Sequence, residues 1–340
     1  RKKHFGAILM VDYKRAREIA TKLELDDEQV NKYAEGAEKS YVQSPVAFVD
    51  EALEHLSNKD SKPGGRLPWD IDFRILPNTL TIWAGMNGHG KSLVVQQVML
   101  YLMTGDYSTR DEKVLFWSPE LAPVYQLERL ARQITGDIYP DPIDAEEAWV
   151  WLHNKMWIYT REVDCGAKQL IAAARYAQEE LGVTQFVIDS LMKVNLGSEQ
   201  RNIYLAQKNF ANVLANVCRD TGLCIHLVAH VRKPDDETKR GSKYDIKGAS
   251  ELTDLVDAGF MVHRNKIEEK SRESGNPPSA PQAALECFKN RHGGFEPMCG
   301  LDYGEQSMRF HDYGTSEHEF FEKYVGNKHT PFDGALNENQ

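Results

Sequence analysis

The sequence has no hydrophobic run long enough to span a bilayer as a helix. Basic residues are in deficit: 41 Lys and Arg stand against 51 Asp and Glu, a net charge of −10 at pH 7. A chain with that balance is not drawn to nucleic acid by its overall field, so any such binding has to come from a local basic surface. Cysteine is sparse as well. The 5 cysteines, at positions 165, 218, 224, 287 and 299, are odd in number and match no zinc spacing, so neither a disulfide framework nor a zinc site is expected. Reduced, buried thiols in a cytosolic compartment are the simplest reading. The start, Arg1-Lys2-Lys3, is basic, but the apolar stretch behind it is too short for a secretory signal. Residue 1 is not Met, so the chain is expected to be part of a longer one.

What is present is the composition of an ordinary globular protein, 340 residues with 41% hydrophobic and 27% charged residues. That length suits one large α/β domain plus a smaller segment. Residues 13–57 read as two or three helices with a single apolar face, one start capped by Asp26-Asp27 and another marked by Ser44-Pro45. Residues 58–66 are a Pro/Gly linker. Strands and helices then alternate. Strands are predicted at 79–84, 113–118, 156–159, 185–189 and 223–229, with helices at 92–103, 122–135, 166–181 and near 199–221. This rhythm predicts a mostly parallel sheet with helices on both faces. Further strands are predicted at 259–263, 283–289 and 297–303, and the polar, Pro-rich stretch 266–281 reads as a mobile loop.

The sharpest motif is Gly85-Met86-Asn87-Gly88-His89-Gly90-Lys91-Ser92, which fits G-x-x-x-x-G-K-[ST] between a strand and a helix. Glycines there let the backbone wrap close enough to aim its N–H groups at phosphate oxygens, and the following helix adds its positive end. Lys91 is expected to reach the β- and γ-phosphates of ATP, or of dTTP or another NTP, and Ser92 to hold Mg²⁺. Gly85, Asn87, Gly88, His89, Gly90 and Leu93 would complete the nucleotide cradle. Phe186-Val187-Ile188-Asp189 is an apolar strand ending in an acid, the place where a second Mg²⁺ partner sits in such sheets; a helix-capping Asp is the plainer alternative. Val114–Trp117 leads into Ser118-Pro119-Glu120, and Glu120 is the candidate general base, against the alternative of a Glu favoured at a helix start.

These residues resemble the RecA-like core of the DnaB family, especially the primase-helicases of tailed phages and their mitochondrial relative, from about Leu76 to Tyr303. In that family a catalytic Glu closes the strand after the phosphate-loop helix and a Walker Asp follows two strands on; Glu120 and Asp189 match those places. The resemblance implies a γ-phosphate sensor at His230, which ends Leu227-Val228-Ala229-His230. It implies channel loops that follow one DNA strand, here Arg232, Lys233, Lys239, Arg240, Lys243, Lys247, Gly248 and Ser250. Between 232 and 247 there are six Lys/Arg against four Asp/Glu, a modest surplus that a ring would multiply. Lys289 and Arg291 resemble the family's K-x-R pair, which acts on the neighbour's γ-phosphate, and Arg264 and Tyr303 match positions that sandwich the base.

The resemblance therefore implies a ring-shaped, ATP-dependent replicative helicase, a homo-hexamer or heptamer that moves 5′→3′ on single-stranded DNA. The alternative is a RecA-type, DNA-dependent ATPase that assembles on DNA without unwinding. Residues 1–57 would be an arm docking on the adjacent subunit, 67–303 the motor, and 304–340 an acidic, flexible tail that offers a site to a replicative DNA polymerase. No membrane partner is expected. The compartment would be the cytoplasm, that of a bacterial host for a phage protein, ahead of a mitochondrial matrix. The Pro-bounded stretch Trp69–Asn78 departs from the family's Gly-Leu-x-x-Gly turn, and no primase motif is present.

Overall fold

The computed structural model describes residues 26–35, 49, 63–161, 165–197, 203–232, 240–246 and 249–326. Helix α1 (Asp27–Glu35) starts where the sequence asks it to: the Asp26 carboxylate accepts from Gln29 N–H at 2.8 Å, and Gln29 accepts from Asp26 N–H at 3.1 Å. A short hairpin follows, β1 (Gly65–Arg66) with β2 (Arg74–Ile75), so pairing begins inside the stretch expected to be linker. Then come β3 (Leu80–Gly85), α2 (Lys91–Leu102), β4 (Val114–Trp117), α3 (Pro123–Thr135), α4 (Pro142–Trp151) and β5 (Met156–Ile158). They are followed by α5 (Ala167–Leu181), β6 (Gln185–Asp189), α6 (Ile203–Thr221), β7 (Cys224–His230), α7 (Ala249–Leu255) and β8 (Ala258–Arg264). The last elements are α8 (Lys266–Glu273), β9 (Ala283–Asn290), β10 (Met298–Gly304) and β11 (Arg309–Asp312).

Nine strands form one sheet in the order β11-β10-β9-β8-β3-β7-β6-β4-β5. From β8 to β5 all neighbours are parallel; β9, β10 and β11 extend the sheet antiparallel. β3 lies near the middle and all six of its residues are buried, as a strand covered on both faces must be. Leu80, Ile82 and Ala84 face the core shared with α5 and α6, whereas Trp83 faces the core shared with α2 and α3. Helix α2 is buried nearly all round, which explains its uninterrupted Val94-Val95 and Val98–Leu102. α1 lies against α5 of the same chain, with Lys168 Nζ donating to Asn31 Oδ1. The reading of residues 1–57 as an arm reaching a neighbour thus meets a helix packed on its own chain.

A polar chain crosses the buried centre of the sheet. Trp83 Nε1–H donates to His226 Nδ1 at 3.1 Å, His226 Nε2–H donates to Gln185 Oε1 at 2.8 Å, and Gln185 Nε2–H donates to Glu112 Oε2 at 2.9 Å. Burial pushes His226 down to about 3, so the ring is neutral, as two one-way hydrogen bonds require. Arg110 pairs with Glu112 at 3.3 Å and closes the chain with a charge.

Two expectations are corrected. The stretch 266–281 is not a loose loop: Asn265 caps α8 by accepting from Glu268 N–H, and Arg272 bridges Glu268 at 2.8 Å and Asp302 at 3.0 Å. The segment after 304 is not a solvated tail as far as residue 326. β11 pairs with β10, Phe310, Phe320 and Tyr324 are buried, and Arg309 donates to the carbonyls of Gln133, Ile134 and His318 at 2.5, 2.7 and 2.6 Å. A region expected to dock a polymerase is thereby reduced to 327–340, outside the described residues. The helix α4 was also not foreseen; Asp141 caps it by accepting from Ile143 N–H, with Pro142 in the first turn.

Candidate nucleotide site

Parallel strands β3, β4, β6 and β7 all end on one edge of the sheet, and each delivers a polar residue there: Lys91 from the loop after β3, Glu120 three residues past β4, Asp189 closing β6, and His230 closing β7. This is the crevice where α/β sheets collect ligands. A cleft of about 710 Å³ opens at that edge, walled by the phosphate loop from Asn87 to Leu93 and by Glu120, Asp189 and His230.

The loop geometry suits phosphate. Gly88 and Gly90 have φ of 76° and 83°, the left-handed region that costs a Cβ-bearing residue energy. A Cβ on Gly88 would meet nothing within 4 Å, whereas one on Gly90 would lie 2.8 Å from Phe310 Cζ, and one on Gly85 2.7 Å from the Val262 carbonyl oxygen. The backbone is thus open toward the cleft and tightly backed behind. Lys91 is buried and donates to the Met86 carbonyl at 2.9 Å. Burial lowers its ammonium to about 8, with Asp189 and Glu120 opposing the shift.

Asp189 is hydrogen-bonded to Ser92. Burial raises its carboxyl above the ordinary range, the Ser92 bond opposes that, and Glu120 adds to the rise. A hydroxyl and a carboxylate in contact beside a phosphate loop are hard oxygen donors of the kind Mg²⁺ takes, so the residues fit the ion they were expected to hold. Ser190 Oγ–H donates to Glu120 Oε1 at 3.1 Å, and His230 Nε2 stands 3.9 Å from the same oxygen.

Not every residue expected at the site faces the cleft. His89 turns its ring behind the phosphate loop, where Nδ1 accepts from Arg264 N–H at 3.2 Å and burial lowers the ring to about 4; only its main chain remains available to a ligand. Arg264 is tied to Glu269 at 2.6 Å and donates to the Gly88 carbonyl at 3.2 Å, so it flanks the loop rather than lining the phosphate cleft. Tyr303 ends β10 on the same sheet edge, its ring centroid 5.1 Å from that of Phe310. Lys289 and Arg291 lie at the opposite edge. β9 runs against β8, pairing Asn290 with Ala258; Lys289 Nζ donates to the Thr253 and Asp254 carbonyls at 2.5 and 2.9 Å, and Arg291 pairs with Asp257 at 2.8 Å.

Of the expected DNA-contacting residues, Arg232, Arg240 and Lys243 are exposed around the base of a loop closed by a Val231–Ile246 bridge. Ser250 lies in α7. Lys233, Lys239, Lys247 and Gly248 lie outside the described residues. Arg129 and Lys193 were not anticipated. Both line the cleft, Arg129 from α3 and Lys193 from the turn after β6, and Arg129 acts electrostatically on Asp189. The signal available for Arg129 was its place on the first helix after Glu120, which starts at the same sheet edge.

A family model described as an AAA domain matches residues 47–236, more than half of the chain. The chain belongs to that AAA-domain family. No curated protein matches it. Among solved structures, this AAA-domain protein is similar to the ATPase domain of a phage helicase, with a TM-score of 0.64 and 13% identity over 80% of this chain and 99% of that one. It is also similar to "The Structure Of A DnaB-Like Replicative Helicase And Its Interactions With Primase", with a TM-score of 0.63 and 12% identity over 91% of this chain and 76% of that one. At such identities the likeness is one of fold, and the fold is the RecA-like P-loop core already visible in the strand order. The protein is accordingly a nucleotide-binding, NTP-hydrolysing enzyme. No helix among the described residues is long and apolar enough to cross a membrane.

Proposed function

We propose that this AAA-domain protein is the motor core of a ring-shaped replicative DNA helicase, a homo-hexamer or heptamer that burns ATP, or dTTP or another NTP, at subunit boundaries and moves 5′→3′ on single-stranded DNA. The observation that carries the proposal is the separation of two halves of one catalytic set. Lys91, Ser92, Glu120 and Asp189 converge at one sheet edge, while Lys289 and Arg291 sit at the other. A six-residue strand such as β3 spans about 20 Å, several times the reach of either side chain. Within one chain the pair therefore never meets the phosphates; set against a second copy, each protomer offers what the next lacks.

Bound Mg²⁺ would supply charge neutralisation on the phosphate oxygens. Ser92 and Asp189 would hold it, and Lys91 would leave the Met86 carbonyl for the β- and γ-phosphates. Glu120, held by Ser190, would orient water and take its proton. Arg129 would face the phosphates from α3. Arg291 and Lys289 of the adjoining protomer would stabilise charge as the γ-phosphoryl leaves. His230, beside Glu120 and one residue before the Val231–Ile246 bridge, is placed to pass the phosphate state to the loop that carries Arg232, Lys233, Lys239, Arg240, Lys243 and Lys247.

Mixing Lys91→Ala with Arg291→Ala subunits tests the shared site. Each variant alone should lose ATPase activity, and a mixture should regain part of it, because some boundaries pair an intact phosphate loop with an intact arginine. No recovery in an assembled mixture sinks the proposal, and a forked duplex left intact by an active ring would mark a DNA-dependent ATPase instead.

A further inference from the structure

The hairpin β10–β11, beyond the last residue assigned to the site, is braced against three of its elements. The main chain of Phe310 is captured by the P-loop helix: its N–H donates to Gln97 Oε1 at 2.8 Å and its carbonyl accepts from Gln97 Nε2–H at 2.8 Å, as a strand partner would. Trp69 Nε1–H adds a third bond to that carbonyl at 2.9 Å. With the backbone fixed on three sides, the ring has little freedom, and it abuts the loop itself: its Cζ lies where a side chain on Gly90 would begin. Its other neighbour is the Tyr303 ring. On α3, Gln133 Nε2–H donates to the Met308 carbonyl at 3.0 Å, and Arg132 holds the carbonyls of Glu305 and Gln306.

We propose that Phe310 is a positioning residue of the nucleotide site, a wedge that sets the last turn of the phosphate loop at Gly90 and the tilt of Tyr303 together, so that phosphate and base contacts keep a fixed spacing. The proposal rests on the reading of the cleft as the nucleotide site. Gly90 is both the left-handed residue before α2 and the neighbour of Lys91, so a loop that relaxes at Gly90 also displaces Lys91 and the first N–H groups of the helix. A displacement of about 1 Å there is enough to cost tenfold or more in ligand affinity.

The test compares Phe310→Leu, Phe310→Tyr and Phe320→Leu in the full chain. Phe320 is a buried phenyl of the same C-terminal segment that packs on Tyr101, Trp151 and Tyr324, away from the loop. Phe310→Leu empties the space under Gly90, and Phe310→Tyr adds one oxygen at the atom that touches it, a change small enough to leave the fold intact. Both should raise KM for ATP and the Kd of a non-hydrolysable analogue about tenfold while kcat stays within about twofold. Phe320→Leu should lower the unfolding midpoint and leave KM unchanged. If both Phe310 variants keep wild-type KM and Kd, the wedge is refuted. Wild-type protein and Lys91→Ala run alongside: wild-type that fails to bind nucleotide, or Lys91→Ala that binds it as wild type does, refutes the site reading instead.

Discussion

Lys91 carries a pH dependence whose size follows from its surroundings. Its ammonium is buried against the Met86 carbonyl and titrates near 8 instead of its ordinary 10.5, because burial outweighs the attraction of Asp189 and Glu120. Nucleotide phosphates favour the cation strongly, so binding above that value must take up a proton. Affinity therefore falls as pH rises through about 8. For one group with a free-state value near 8 that stays charged when bound, the Kd at pH 9 exceeds that at pH 7 about tenfold, or about 1.4 kcal/mol. Proton uptake per nucleotide bound should climb from about 0.1 at pH 7 to about 0.9 at pH 9. Isothermal titration of a non-hydrolysable ATP analogue with Mg²⁺, in buffers of different ionisation enthalpy, measures both. Lys91→Arg provides the contrast: weaker binding, but a flat profile, since a guanidinium stays charged throughout. His89, lowered to about 4, is already neutral and adds nothing in this window. A Kd indifferent to pH from 7 to 9 with no proton uptake would refute the assignment of Lys91 as a buried, phosphate-seeking cation. The same displacement acts on folding with the opposite sense. Between about 8 and 10.5 the unfolded chain holds the Lys91 proton and the native one does not, so this group's contribution to stability rises with pH there.

Other outcomes can be checked directly. Glu120→Gln should keep nucleotide affinity near that of wild type and lower turnover by about 10²- to 10⁴-fold in a steady-state phosphate-release assay. Arg309→Met removes three charge-assisted bonds and orphans the Gln133, Ile134 and His318 carbonyls, which should cost about 2–4 kcal/mol by urea denaturation.

The parts of the site that were legible in the sequence are those set by local chemistry. Gly88, Gly90 and Lys91 announce themselves because a phosphate loop needs left-handed backbone and a cation at fixed spacing. Asp189 and Glu120 were legible because an apolar run with an acid at its end has few other uses. What stayed hidden depends on contacts between distant segments. β11 is only Arg-Phe-His-Asp; its Arg309 reads as solvent-seeking until α3 supplies carbonyls from 175 and 176 residues away. His89 sits in the motif, yet nothing local reveals that β8 captures its ring. Arg129 looks like one more surface charge on an amphipathic helix, because its role is set by how α3 tilts over the sheet edge. The stretch 266–281 reads as loose because Pro and polar residues dominate, while its order comes from Arg272 bridging two carboxylates, one of them on a strand yet to follow.

The indole–imidazole–amide–carboxylate relay through β3, β7 and β6 has a bearing on assembly of the sheet itself. Central parallel strands made of Val, Ile, Leu and Phe are nearly interchangeable as far as greasiness goes, so little else distinguishes one neighbour from another. Slide β7 by one residue past β3, and an indole N–H, an imidazole and an amide are each stranded in oil, at about 1–3 kcal/mol apiece. Those three side chains work as a tally of correct neighbours, letting a sheet of near-identical ribbons come together in a single arrangement.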